Sequence, residues 1–356
     1  MLKARAIVEA SIRILAPARE RSAPVVKPRT HARLRRLGIL WAPALTACSG
    51  PQSALDPAGE GAERIADLFW IMASGAALIW LLVIGAVIYA TRIAPGPHSE
   101  RVGDALLLWG GLVVPTVVLG GLLTWGLAVM AELRAPGDGL KITVSGEQWW
   151  WRVDYHMPGR DAPVSSANEV RLPVGQRVEF ELSSPDVIHA FWIPSIAGKV
   201  DMIPGRTTRL VALPTRTGSF RGACAEYCGT SHALMAFSVE VMEPAAFEQW
   251  LAREAAGAKA PATPEAAHGQ TLFEQVGCGA CHAVRGTAAE GTIGPDLTHL
   301  AARATLGAGI LPNDRAALVR WITQTEAIKP GSRMPSFEAL PADHVEAIAA
   351  YLEGLE

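Results

Sequence analysis

Two short stretches of this chain hold residue types whose spacing suits chemistry rather than packing. Cys278-Gly-Ala-Cys281-His282 is a C-x-x-C-H run. Its two thiols can add to porphyrin vinyl groups while the adjoining imidazole ligates iron, which is how haem is attached covalently. Such a haem needs a sixth ligand, and Met334, in Arg333-Met-Pro335, is the only methionine after Met242. Thioether with imidazole suits electron transfer and raises the iron potential. His299 and His344 are the rivals for that position. A redox dithiol or half a zinc site would also use C-x-x-C, but the dithiol wants a strand–helix–strand context that the surrounding sequence lacks.

The second stretch, Cys224-Ala-Glu226-Tyr-Cys228-Gly-Thr-Ser-His232-Ala-Leu-Met235, packs two thiols, an imidazole and a thioether into twelve residues. These soft ligands select copper over magnesium or calcium. His189, in Ser184-Pro-Asp-Val-Ile-His189-Ala-Phe-Trp-Ile-Pro194, offers a second imidazole from a different strand end. Two cysteines with two histidines also make a closed zinc site, although zinc gives no use to Met235.

Elements must position these ligands, and the chain has room for several domains in its 356 residues. Half the residues are hydrophobic and 19% are charged, which excludes disorder and collagen-like repeats. The net charge of −2 hides ten Lys/Arg against two Glu within 1–36, so the remainder carries about −10, which argues against nucleic-acid binding. Five cysteines are too few for a disulfide-stapled fold.

The basic excess belongs to an export signal over 1–47: Arg33, Arg35 and Arg36 precede an apolar run too short to span a bilayer. That run ends in Leu45-Thr46-Ala47-Cys48, which resembles a bacterial lipobox whose cysteine becomes a lipid-modified N-terminus; ordinary cleavage with Cys48 incidental is the other reading. Residues 1–32 exceed what a signal needs, which fits an overlong start. After a segment 48–66, two uncharged apolar stretches, 68–90 and 105–131, predict a transmembrane hairpin over 67–134. The loop 91–104 carries Arg92 and Arg101, which places it on the cytoplasmic side and both termini outside. Runs rich in Val, Ile, Phe and Trp between Gly, Pro, Asp and Ser predict an all-β sandwich over 138–245. An Ala/Pro/Gly-rich linker is expected over 246–266, followed by an all-α domain over 267–356 with helices at 269–276, 314–324 and 342–352.

With Gly294-Pro295-Asp-Leu and the Met-Pro pair, the C-terminal ninety or so residues resemble a class I cytochrome c domain. The spacing C-x-E-x-x-C-G-x-x-H-x-x-M, preceded by D-V-x-H-x-F-x-x-P and two membrane helices, resembles subunit II of the haem-copper cytochrome c oxidases, and the fused haem domain resembles the caa-type variant. The resemblance implies a cupredoxin fold carrying the binuclear CuA centre. Cys224 and Cys228 would bridge two coppers, His189 and His232 would each cap one, and Met235 and the backbone carbonyl of Glu226 would be weak axial ligands. The Glu226 side chain would reach a magnesium at the interface with subunit I. Gly146-Glu-Gln-Trp149-Trp150-Trp151 resembles the family's aromatic G-H-Q-W-Y-W segment, whose first tryptophan, here Trp149, is the entry point for electrons from cytochrome c; Glu147 and Trp150 depart from it. The family's E-x-x-W-T-x-x-P, anchored on Pro115, puts Leu108 and Gly111 at the Glu and Trp positions, so another group would serve that proton path. Lys199-Val-Asp201-Met-Ile-Pro204 matches a segment facing subunit I, and is equally read as a turn with a solvated charge pair.

The expected protein is therefore a bacterial inner-membrane subunit with its copper and haem domains on the periplasmic side. It would take electrons from cytochrome c or another periplasmic donor and pass them to subunit I, where oxygen is reduced to water with proton translocation; other oxidase subunits are expected partners. Neither apolar stretch holds a histidine, so nothing there ligates an intramembrane haem. A CuA subunit of a nitric oxide reductase, a metal-free quinol oxidase subunit and a tethered copper-binding module are the alternatives.

Overall fold

The computed structural model describes residues 49–133, 135–136, 139–157 and 159–356. The signal segment 1–47 and Cys48 lie outside the described residues. Helices α1 (Glu60–Ile93) and α2 (Glu100–Leu133) have 34 residues each, more than the ~20 that cross a hydrocarbon core, and their apolar side chains, such as Trp80, Leu82, Leu107 and Leu119, are exposed. The hydroxyls of Thr91, Thr116 and Thr124 donate to carbonyls one turn back, so these polar groups are satisfied within their own helices.

Helix α1 begins before the expected 67 because its small first residues lie on the sandwich. The Ala62 amide donates to the Ile196 carbonyl at 3.1 Å, and a Cβ at Gly59 would stand 2.6 Å from that oxygen. Arg177 closes the junction with an ion pair to Glu60 at 3.0 Å.

Ten strands follow: β1 (Leu140–Glu147), β2 (Trp150–His156), β3 (Val164–Ala167), β4 (Glu169–Pro173), β5 (Val178–Ser183), β6 (His189–Trp192), β7 (Val200–Met202), β8 (Thr208–Ala212), β9 (Gly218–Cys224) and β10 (Ala236–Met242). They form two five-stranded sheets, ordered β3-β2-β1-β5-β8 and β4-β10-β9-β6-β7. Alternation buries Trp151, Val153 and Tyr155 of β2 and Val178, Phe180 and Leu182 of β5, as one-sided sheets require. The rings of Phe191 and Phe237 stack at 4.8 Å in this core, and Gly222 leaves the room that the Phe237 ring fills.

The expected linker 246–266 is partly helix: α3 (Pro244–Glu254) buries Phe247, Trp250 and Leu251 against the sandwich, with Trp250 edge-on to Tyr155 at 5.1 Å. The C-terminal domain is built from α4 (Pro264–Val276), α5 (Arg315–Thr323), α6 (Thr325–Ile328) and α7 (Ala342–Glu353), with a short hairpin of β11 (Thr305–Leu306) and β12 (Leu311–Pro312). Thr263 caps α4 by accepting from the Ala266 amide at 3.1 Å, and Asp314 caps α5 through the Ala317 amide at 2.8 Å. Helices α4 and α7 cross where Gly269 meets the Ala347 carbonyl, a contact that leaves no space for a Cβ.

Candidate copper and haem centres

Strand β9 ends at Cys224 and β10 begins at Ala236, which pairs with Ala223, so the loop 225–235 leaves and re-enters one sheet on adjacent strands. Neighbouring β6 starts at His189, and its Phe191 lies opposite Cys224. The sandwich thus fixes both loop ends and the second imidazole. Cys224 Sγ lies 3.8 Å from Cys228 Sγ, 3.8 Å from His189 Nδ1 and 3.1 Å from the Glu226 carbonyl oxygen. Cys228 Sγ lies 3.5 Å from His232 Nδ1 and 3.8 Å from Met235 Sδ. All six donor atoms expected from the sequence converge, and the ligand atoms of His189, Cys224 and Cys228 lie within 4.8 Å of one another.

The hydrogen bond from Cys228 holds Cys224 as a thiolate, down to about 3, aided by His189 and the Ala190 amide against burial. Donating that bond, together with burial, keeps Cys228 protonated, well above the usual thiol range. Asp186 accepts the buried His189 Nε2–H at 2.9 Å, which turns Nδ1 toward the thiols. Burial raises the Asp186 carboxyl, but bonds from the Gln148 amide at 2.7 Å, the His189 ring and the Val187 amide outweigh it and hold the group below its ordinary value.

Trp149 occupies the two-residue turn between β1 and β2, where Glu147 pairs with Trp150. Its indole Nε1 donates to the Cys228 carbonyl at 3.0 Å, and Gln148 Nε2 donates to the same oxygen at 2.7 Å. The departures from the family segment are paired locally: Glu147 takes Arg152 Nε at 2.8 Å, and the Arg152 guanidinium lies over the Trp150 ring. The Glu226 carboxylate points away from the thiols, half exposed, 3.8 Å from Lys199 Nζ, which also pairs with Asp201 at 2.9 Å.

In the C-terminal domain, α4 stops at Gly277, whose φ of 90° turns the chain into Cys278. Cys278, Cys281 and His282 line a cavity of about 330 Å³ together with Trp321 and Met334. His282 Nδ1 donates to the Pro295 carbonyl at 2.9 Å, which leaves Nε2 free to ligate iron, and a Cβ at Gly294 would stand 2.5 Å from the imidazole. Burial, with the Arg303 charge adding, holds His282 below the usual histidine value and therefore neutral, as a ligand must be. Arg303 is buried, spends one Nη on the Asp296 carbonyl and leaves Nε without a partner at the cavity wall, which fits the carboxylate of a haem propionate. Of the three candidates for sixth ligand, Met334 alone lines the cavity: His299 Nε2 faces the Ala256 carbonyl at 3.2 Å, and His344 lies beside His268.

Gln148, Trp149, Trp150 and Asn168 of the sandwich line the same cavity, so the haem crevice opens onto Trp149. Sequence reasoning left Asp186, Gln148, Arg303 and Lys329 without roles. The signal for Asp186 was its place three residues before His189; for Lys329, a buried amine, no local signal exists.

The sandwich, its six convergent donor atoms, the haem crevice and two membrane-length helices define a membrane-anchored electron-transfer protein. The chain matches the family described as Cytochrome C oxidase subunit II, periplasmic domain, over residues 161–242, and the family described as Cytochrome c over residues 266–356. It is 33% identical over 327 residues to cytochrome c oxidase subunit 2 of Alkalihalophilus pseudofirmus, which covers 88% of this chain and 94% of that relative. Against cytochrome c oxidase subunit 2 of Bacillus subtilis the identity is 30%, covering 92% of this chain and 98% of the relative. Among solved structures, the periplasmic domain of subunit II of the cytochrome oxidase of Bradyrhizobium japonicum is 31% identical, covers 34% of this chain and 95% of that one, and has a TM-score of 0.31. The chain belongs to the cytochrome c oxidase subunit 2 family and carries a fused cytochrome c domain.

Proposed function

We propose that this chain is the electron-entry subunit of a bacterial cytochrome c oxidase, taking electrons at its cytochrome c domain and passing them through the sandwich to subunit I, where oxygen is reduced with proton translocation. The observation that carries this reading is Trp149, whose ring lines the haem crevice and whose Nε1 bonds the carbonyl of the ligand residue Cys228 at 3.0 Å. When bound, haem c and a binuclear copper centre supply one-electron chemistry. Cys278 and Cys281 would hold the haem covalently, with His282 and Met334 on its iron. Cys224, Cys228, His189, His232, Met235 and the Glu226 carbonyl would hold the coppers.

Soft donors and a thioether 3.8 Å from Cys228 Sγ support copper over a closed zinc site, which would leave Met235 unused. The loop is held at both ends by strands, and Asp186 holds His189 on β6, so little can move when the charge of the centre changes. Glu226 offers one carboxylate to a magnesium shared with subunit I, whose remaining oxygens would come from that subunit and water. Arg92 and Arg101 support a cytoplasmic loop between α1 and α2, with both redox domains on the periplasmic side facing a cytochrome c or similar donor.

The test is the optical and EPR spectrum of the full chain in detergent, with copper quantified against covalent haem. Two coppers sharing one unpaired electron with one low-spin haem c are expected; haem with zinc, or with no copper, refutes the reading.

A further inference from the structure

We propose that Lys329 closes a two-armed clamp by which the cytochrome c domain grips the ligand loop of the sandwich and seats its haem crevice on Trp149. Its functional meaning rests on Trp149 being the entry residue.

The first arm is the turn of the β11–β12 hairpin. Gly307, Ala308 and Gly309 all have positive φ, at 63°, 68° and 85°, which folds the chain tightly enough for the Ala308 carbonyl to accept the Ala236 amide at 3.0 Å. Ala236 directly follows the ligand residue Met235, and a Cβ on Gly309 would stand 3.1 Å from the Ala236 methyl. The second arm is the segment 329–331, ahead of Met334. The Pro330 carbonyl accepts the hydroxyl of buried Ser231 at 2.7 Å, and Ser231 precedes the ligand residue His232. Gly331, at φ 77°, lies so close to the entry ring that a Cβ would be 2.8 Å from Trp149 Cη2. The two arms therefore hold the ligand loop at Ser231 and Ala236, the residues flanking its last two ligands, His232 and Met235.

Lys329 joins the arms. Its Nζ donates to the Gly307 carbonyl at 2.7 Å, and the residue is only 3% exposed. No carboxylate among the described residues pairs with it, and burial pushes its amine down to about 7. The residue also lines the haem crevice, and its amine, costly to bury, spends its hydrogen bond across the clamp rather than on a carboxylate. Other contacts between the domains include the exposed bonds from Arg152 to the Thr292 carbonyl at 2.8 Å and from Arg171 to the Ala302 carbonyl at 3.0 Å, and a part-buried bond from the Ala304 amide to Glu169 at 3.3 Å; none of these touches the ligand loop.

Lys329→Met keeps the length and apolar stem of the side chain and removes the donor. In the full chain loaded with copper and haem, this variant is expected to keep the wild-type haem spectrum and copper EPR line shape. The relaxation enhancement of the copper signal by oxidised haem should weaken, because the domains separate, and electron transfer between the centres should slow roughly tenfold or more. Gly331→Ala, a change on an exposed segment that wedges the arm off Trp149, should move both readouts the same way and serves if the first variant does not accumulate. Wild-type relaxation enhancement and rate in these variants overturn the clamp. Trp149→Phe separates the two readings: if it leaves the transfer rate unchanged while Lys329→Met weakens the enhancement, the entry reading falls and the clamp stands.

Discussion

The indole of Trp149 and the backbone of Cys228 are joined by one hydrogen bond of 3.0 Å, although the residues lie 79 positions apart. The bond ties the turn of the β1–β2 hairpin to the middle of the ligand loop. Trp149→Phe keeps an aromatic ring and removes the donor. It should cost about 1 kcal/mol of stability, leave copper content unchanged and slow reoxidation of haem c by the sandwich, read by flash-initiated kinetics.

Asp186 would act on the proposed copper ligand set only through His189, whose Nε2–H it accepts at 2.9 Å. Asp186→Asn weakens the acceptor that orients His189, and copper affinity should fall about 10- to 100-fold. Competition titration with a copper chelator measures this; affinity equal to wild type would show that the sandwich core alone orients the ring.

The sixth haem ligand can be assigned by substitution. Met334→Ala should leave haem covalently attached through Cys278 and Cys281 while lowering its midpoint potential and removing the low-spin methionine-ligated spectrum. His299→Ala and His344→Ala should leave both unchanged, since neither side chain lines the crevice.

Gly269→Ala places a methyl group against the Ala347 carbonyl where α4 and α7 cross. Overpacking of this kind costs about 1–3 kcal/mol. The outcome should be a lower unfolding midpoint of the cytochrome domain, followed by the haem absorption band, with the copper signal of the sandwich unaffected.

Lys329 gives the stability a defined pH dependence. Its amine titrates at about 7 in the folded chain against 10.5 in the ordinary state, so between these values the unfolded chain binds more protons than the folded one. Stability from this group therefore rises with pH across that window and is lowest below it, where the buried amine must be charged. Thermal unfolding across the window should show this rise in the wild-type chain and a flatter profile in Lys329→Met.

Much of the site was legible before any fold was known, because metal and haem chemistry demands particular atoms at short spacings. Cys224, Cys228, His232 and Met235 lie on one loop, and Cys278, Cys281 and His282 on one turn, so local sequence carries both sets. His189 was also legible as a candidate ligand, but its partner in Asp186 was not. That bond depends on which ring nitrogen faces the thiols, and the pairing of β6 with β9 sets it. The start of α1 at Glu60 and the helix α3 differ from the expected boundaries because contacts with the sandwich, rather than local composition, stabilise both ends.

The sequence by itself determined the candidate donor set, the two membrane-length helices and the alternation that makes a two-sheet sandwich, since each follows from residue type and period within a short window. Only the tertiary structure decided that Met334 rather than His299 or His344 faces the haem crevice, that this crevice opens onto Trp149, and that a buried lysine binds two distant turns around the copper loop. Those are contacts between segments far apart in the chain. Their geometry is set by how the sandwich and the cytochrome domain pack together, and no local pattern of residues encodes it.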